Sequence, residues 1–266
     1  MPDAAATWSP APDLDRRLAG TRFGEIRWFA RVDSTNRHLL SEAARGSPGG
    51  IVAVADEQTA GRGRHGRTWT AAPGAALLVS VLLRPDLPAE RLHLVTLAAG
   101  VAAADAVREV GAFDARLKWP NDLVVDDRKL AGILAEADGT GRGGTGGVVV
   151  GMGLNIRSND FPAELAEIAT ACDRHCARPV DRIELLIAWL RALDGRLDAL
   201  DEVVAAAASR SATLGRRVRV ELARDDFEGV ATGMTDEGYL VVTRDDGTER
   251  IVTAGDVIHL RAAEPA

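Results

Sequence analysis

The chain has 266 residues, 46% of them hydrophobic and 27% charged, with a formal net charge of -7. That is the profile of an ordinary globular protein of one large domain or one large plus one small. It speaks against a general nucleic-acid binder, which would carry a basic domain or stripe, although a local basic patch remains compatible with it.

Residues 1–11 are rich in Ala and Pro and are expected to be disordered. They lack the positive start and apolar run of a secretory signal. "DLDRRLAG" predicts a short helix closed by Gly20. "EIRWFARV" (25–32) alternates like a strand. "DSTNRHLLSEAARG" follows as a helix capped by Asp33, Ser34 or Thr35 and ended at Gly46. "GIVAVADEQ" (50–58) predicts a second strand, and "GRGRHGR" (61–67) follows it directly. "ALLVSVLLR" (76–84) predicts a wholly apolar strand punctuated by Pro85 and Pro88.

A buried amphipathic helix is expected over about 89–110, on the spacing of Leu94, Leu97, Val101 and Val107. "ARLKWPNDLVV" and "RKLAGILAEAD" predict strands separated by a "DDRK" turn. "GTGRGGTGG" (139–147) reads as a hairpin loop and "VVVGMGLNI" (148–156) as a buried strand. Residues 181–210 carry apolar positions at helical spacing. Beyond Leu214 short strands recur at turn-like intervals, so a small all-β unit is expected beyond a boundary near 212. The larger unit mixes hairpins with strand–helix alternation, which predicts α+β with a mixed sheet. No run of apolar residues is long enough for a transmembrane helix. Cys172 and Cys176 would share a face if helical. They give no disulfide framework, which makes a reducing cytoplasm the default, and no zinc set is complete around them.

Four segments carry chemistry. In "GRGRHGR" the glycines permit backbone conformations closed to other residues, and the arginines present forked donors to carboxylate or phosphate oxygens. Read alone, it is equally a solvated loop. A Walker loop is excluded, because no Gly-Lys-Ser/Thr follows. A dinucleotide fingerprint is excluded too, because a strand follows where a helix should. "KWPND" (118–122) reads either as a turn with a packed Trp or as a phosphate-side lysine with an aspartate for metal or base work. "RKLAGIL" (128–134) places Lys129 where a strand begins. "GMGLN" (151–155) ends a buried strand with two glycines that let a ligand approach the backbone.

Together "DSTN", "GRGRxGRxW", "KWPND", "KLAGIL" and "GxGxN", in this order, resemble the catalytic domain of the biotin protein ligases, across about residues 25–262. The departure is "WTAAPG", where the family often has Ser-Pro after the loop's Trp. The resemblance implies a class II synthetase-like catalytic domain (12–212) and a small C-terminal SH3-like β-barrel domain (213–266). It implies a reaction in two halves: biotin attacks the α-phosphorus of ATP, with Mg2+ held mainly by the ATP phosphates, and a lysine of a biotin carboxyl carrier domain of an acyl-CoA carboxylase then takes the acyl group and releases AMP. It also implies site residues. Ser34, Thr35, Asn36, Gln58, Gly61, Arg62, Gly63, Arg64, Lys129, Gly151 and Gly153 would bind biotin. Arg62, Arg64, Arg67, Trp69, Lys118, Asn121, Lys129 and Asn155 would hold the nucleotide. Lys129, Arg64, Lys118 and Asp122 would be catalytic, with Asp122 orienting the incoming lysine or lying near magnesium. Some family members begin with a helix-turn-helix domain. Fewer than about 25 residues precede the catalytic domain here, too few for that module, so a single-function ligase without its own DNA-binding domain is expected; a cytoplasmic location and no membrane partner are expected as well, and a homodimer is left open. The competing readings are a lipoate–protein ligase, a nucleic-acid-binding module built on the Gly/Arg loop, and a non-catalytic scaffold.

Overall fold

The computed structural model describes residues 13–139, 146–158, 161, 163–222 and 225–260. The disorder expected for residues 1–11 lies outside these, as does most of the hairpin loop expected at 139–147. Helix α1 (Leu14–Arg17) leads into strand β1 (Glu25–Val32), helix α2 (Thr35–Ala44) and strand β2 (Ile51–Gln58). β2 lies parallel to β1, so α2 is the crossover between them. The remaining strands of the first sheet are β3 (Ala76–Leu83), β4 (Arg116–Lys118), β5 (Asp122–Val125), β6 (Arg128–Ala137) and β7 (Val148–Asn155). They pair antiparallel, giving a mixed sheet of order β1-β2-β3-β7-β6-β5-β4.

Both faces of the sheet are covered, which explains the unbroken apolar run of β3: all eight of its residues are buried. On one face Val54, Leu77, Val79, Val81, Val150 and Met152 join the core made with helices α3 (His93–Gly111), α4 (Arg182–Asp198) and α5 (Leu200–Ser209). On the other face Ile51, Ala53, Leu78, Leu82 and Val149 pack under Leu39 and Ala43 of α2. α2 has ten residues and covers only part of that face. By the two-residue period of a strand, Ser80, Gly132, Leu134, Glu136, Gly151 and Gly153 share the α2 face, and all but Glu136 line a cleft there.

Two expected elements are divided. "ARLKWPNDLVV" is a hairpin of β4 and β5, pairing Lys118 with Asp122 around a turn at Trp119–Pro120–Asn121. The turn lets the Trp119 indole leave the sheet. The helical stretch 181–210 breaks at Ala199, whose ψ of 46° is not helical, and both resulting helices pack on α3. Cys172 opens a short 3-10 turn (Cys172–Arg174) and Cys176 lies just past its end, so the two do not share an α-helical face. Both thiols are free. Burial pushes Cys172 up to about 12, which makes it a poor nucleophile.

A second sheet of β8 (Arg217–Glu221), β9 (Asp226–Met234), β10 (Leu240–Thr243), β11 (Glu249–Val252) and β12 (Asp256–His259) is antiparallel throughout, in the order β11-β10-β9-β8-β12. β8 alternates exposed and buried residues, as a sheet covered on one face should. Its core of Val218, Val220, Ala231, Leu240 and Val242 also includes Trp119 of the first unit. The Trp119 backbone N–H donates to Thr213 Oγ1 at 3.1 Å. "KWPND" therefore pins the two sheets together and fixes where the second one stands over the cleft.

Candidate active site

The cleft has a volume of about 720 Å3 and runs across the uncovered part of the α2 face. That size suits a drug-sized organic ligand. Every residue singled out from the sequence lines it except Gly61. Gly61 lies behind the wall, where a Cβ would stand 2.4 Å from the Trp69 carbonyl oxygen. Its role is to let two backbones meet.

One end is a polar wall at the start of α2. Ser34 caps the helix, accepting from Arg37 N at 3.4 Å. The Thr35 backbone N–H donates to Gln58 Oε1 at 2.7 Å, and Thr35 Oγ1 lies 2.7 Å from Ser80 Oγ. Ser80 Oγ donates to Asn36 Oδ1 at 2.6 Å. Asn36 Nδ2 donates to Glu136 Oε2 at 2.9 Å and to the Leu134 carbonyl at 3.2 Å. Gly151 makes room for this chain, since a Cβ there would stand 2.1 Å from Asn36 Oδ1.

The Gly/Arg segment is a small hairpin. Arg62 bridges to Thr68, and the Gly63 N–H donates to the Arg67 carbonyl at 2.7 Å. The tip turns through left-handed backbone at His65 (φ 54°) and Gly66 (φ 74°). The arginines fan outward to carboxylates. Arg62 Nη1 is 3.1 Å from Glu136 Oε1. Arg64 donates to Asn121 Oδ1 at 3.2 Å, to Asp256 Oδ1 at 3.4 Å and to the Gly255 carbonyl at 3.1 Å. Arg67 also pairs with Asp256, at Oδ2. The second sheet thus reaches over the cleft and holds the tip of the loop.

The floor is glycine. Gly132 and Gly153 pair across β6 and β7, and the Trp69 indole lies on both: Cβ atoms there would stand 3.2 Å and 2.4 Å from the ring. Lys129 Nζ lies 5.6 Å from the centre of the same ring, and 2.7 Å from Asp122 Oδ1. That oxygen is not aligned for a hydrogen bond, so the pairing is coulombic. Lys118 lies across the β4–β5 hairpin from Asp122. Burial, together with the nearby Lys129, pulls the Lys118 ammonium below its ordinary range, and Asp122 opposes the shift. Asn121 Nδ2 donates to the Ile133 carbonyl at 2.7 Å, and Asn155 Nδ2 to the Thr170 carbonyl at 3.1 Å. Five cationic side chains, Arg62, Arg64, Arg67, Lys118 and Lys129, thus face one cleft in a chain of net charge -7. The arrangement can draw two anionic reactants together and neutralise charge that develops between them.

Residues 28–155 match the model of the "Biotin/lipoate A/B protein ligase family", and residues 213–260 match that of the "Biotin protein ligase C terminal domain". The chain is 39% identical to a biotin--[acetyl-CoA-carboxylase] ligase of Mycobacterium tuberculosis, over 94% of this chain and 97% of that protein. The chain belongs to the biotin protein ligase family. Among solved structures it resembles a biotin protein ligase from Aquifex aeolicus in complex with biotin and ATP. The TM-score is 0.79 and the identity 27%, over 90% of this chain and 100% of that one. A biotin protein ligase from Leishmania major in complex with biotinyl-5-AMP aligns with a TM-score of 0.61 and 27% identity, over 86% and 99% of the two chains.

Among the residues sequence reasoning missed are Ser80 and Asp256, which line the cleft, and Glu136, which meets Asn36 and Arg62 beside it. Ser80 had a legible signal, as the one polar residue inside "ALLVSVLL". Nothing in the sequence marks Glu136 or Asp256, because their arginine partners are far away in it.

Proposed function

We propose that this chain is an ATP-dependent biotin–[acetyl-CoA-carboxylase] ligase that forms biotinyl-5'-AMP and passes the biotinyl group to a lysine of the biotin carboxyl carrier domain. The observation that carries the reading is the meeting, in one cleft, of a polar wall at Thr35 and Gln58 with the cations of Arg62, Arg64, Lys118 and Lys129. A cyclic urea needs a few well-aimed donors and acceptors, which the wall supplies beside an apolar floor. A carboxylate and a triphosphate repel each other, which the cations offset.

In the first half-reaction a carboxylate oxygen of biotin bonds to the α-phosphorus of ATP, and the bond to the bridging oxygen breaks to release pyrophosphate. Lys129, set by Asp122, neutralises the reacting oxygens, and Arg64 and Arg67 exchange Asp256 for phosphate oxygens. Lys118 and Asn121 lie on the nucleotide side, and Asn155 holds the strand end beneath it. In the second half-reaction an acceptor lysine amine attacks the anhydride carbonyl, loses its proton and displaces AMP. Asp122 faces that position and orients the amine. Loop closure excludes water, which would otherwise hydrolyse the anhydride.

Magnesium supplies further charge neutralisation when bound. Among the described residues no group of three or more His, Cys, Asp or Glu could hold a metal ion, and Asp122 and Asp256 already face cations. This donor set suits an ion carried in on the ATP phosphates.

The working division is a catalytic unit over 12–212 and a C-terminal unit over 213–266, supported by the two sheets and the two matched segments. A cytoplasmic enzyme fits the free thiols. No helix among the described residues is long and apolar enough to cross a membrane. Neither DNA nor a membrane enters this reading. β1 is the open edge of the first sheet, and a homodimer would pair there. The test is ligand choice and product. Biotin, not lipoate, should raise the melting temperature, and biotin with ATP and Mg2+ should release pyrophosphate. Stabilisation by lipoate alone would favour the lipoate-ligase reading instead.

A further inference from the structure

We infer that Glu136 is a specificity-determining positioning residue, which sets the donor and acceptor directions of the wall that faces the urea ring. This rests on the biotin-ligase reading of the cleft. A carboxylate can only accept hydrogen bonds. Glu136 Oε2 and the Leu134 carbonyl, both acceptors only, lie 2.9 Å and 3.2 Å from Asn36 Nδ2, so the Asn36 amide must present its NH2 to them. Asn36 Oδ1 is thereby turned toward Ser80, whose hydroxyl proton is committed to it at 2.6 Å. Ser80 Oγ can then serve Thr35 only as an acceptor, at 2.7 Å. The one Thr35 hydroxyl proton is spent between Ser80 and Gln58 Oε1, the latter at 3.1 Å. Thr35 Oγ1 therefore meets a ligand purely as an acceptor.

Gln58 is oriented by the same logic. Its Oε1 accepts the Thr35 backbone N–H at 2.7 Å, which leaves Nε2 as the donor. The wall thus offers one acceptor and one donor side by side, complementary to the adjacent N–H and C=O of a cyclic urea. Thr35, Asn36 and Ser80 are buried, so water cannot substitute for a missing partner in this chain. Arg62 faces the other carboxylate oxygen at 3.1 Å. The carboxylate therefore meets two donors and no competing acceptor.

Glu136→Gln tests the assignment. Gln offers one oxygen to two donors, Arg62 and Asn36, so the Asn36 amide keeps the Leu134 carbonyl but loses the shorter, charge-assisted anchor of its two. Ser80→Ala breaks the same chain at its centre. The assay is steady-state biotinylation of a carrier domain by the full chain, with biotin and ATP varied separately and unfolding curves taken for each variant. Each single variant should raise KM for biotin about tenfold, the scale of a hydrogen bond to a charged group, while KM for ATP stays within about twofold. The double variant should be no worse than the weaker-binding single variant, because both act through one chain. An unchanged KM for biotin in a folded single variant overturns the assignment, and so do effects that multiply in the double variant. If Glu136→Gln does not fold, Glu136→Asp, which keeps the charge but shortens the reach to Asn36, decides in its place, with the same expected and overturning results. A wild-type chain that fails to use biotin overturns the ligase reading itself, a different result from an active wild type with unaffected variants.

Discussion

Asp256 gives the sharpest mechanical expectation, because one carboxylate of the second sheet holds the tip of a loop that belongs to the first. It accepts from Arg64 at 3.4 Å and from Arg67, and it lies 3.6 Å from His65 Nε2. Arg67 is largely exposed and contributes little. Arg64 and Asp256 are both about four-fifths buried, which places their charged hydrogen bond near the low end of the 1.5–3 kcal/mol range, at about 2 kcal/mol. Asp256→Ala should therefore raise the open population of the loop by about 30-fold, since about 1.4 kcal/mol is a factor of ten. Opening frees the hairpin backbone at Arg62, Arg64 and Arg67 to enter the trypsin active site, and when reclosing is fast the nicking rate follows the open population. Nicking within 62–67 should accelerate by that factor in the ligand-free chain, and biotin with ATP should suppress it. Asp245→Ala removes an exposed pairing with Arg217 elsewhere on the same sheet, and should leave nicking unchanged. Equal nicking of the Asp256 variant and the wild type would refute the view that the second sheet latches the loop.

Lys129→Ala should slow adenylate formation by about 10²–10³-fold, the cost of removing one charge-stabilising donor, with little change in unfolding; pyrophosphate release in single turnover measures it. Gly153→Ala should destabilise by about 1–3 kcal/mol through overpacking, because the new Cβ meets the Trp69 ring at 2.4 Å. Denaturant titrations should show that cost largely vanishing in a Trp69→Ala background. His259 is lowered from 6.5 to about 4 by burial, Lys118 and Arg216, against the pull of Asp127. Below 6.5 the unfolded chain binds the proton and the folded chain resists it, so this stability is present above 6.5 and is lost as pH falls toward 4. The loss approaches about 3 kcal/mol. Unfolding free energies at pH 7 and pH 4.5 should differ less in His259→Gln than in the wild type.

The strands and their burial were legible because a sheet covered on both faces leaves apolar runs, as in "ALLVSVLLR" and "VVVGMGLNI". The Gly/Arg loop, "KWPND" and the glycine floor were legible as segments, since each needs special residue types at fixed places. What could not be read was convergence. Arg64 and Asp256 are 192 residues apart in sequence, and neither alone signals a pair. Glu136 closes a β-strand among apolar neighbours and gains meaning only once α2 places Asn36 above it. For "KWPND" a packed Trp in a turn was one of two open readings, and nothing local says that the partners of Trp119 are Val218, Val220 and Leu240 of the second sheet. The break at Ala199 was hidden because apolar residues continue at helical spacing on both sides of it.

Transfer itself is the most direct measurement of the central claim. The chain is mixed with radiolabelled biotin, ATP, Mg2+ and a biotin carboxyl carrier domain, and the protein label is counted after denaturation. Label should appear on the carrier's acceptor lysine, one per domain, and should require ATP and release AMP. A carrier that stays unlabelled while the folded chain turns over neither biotin nor ATP would contradict the account.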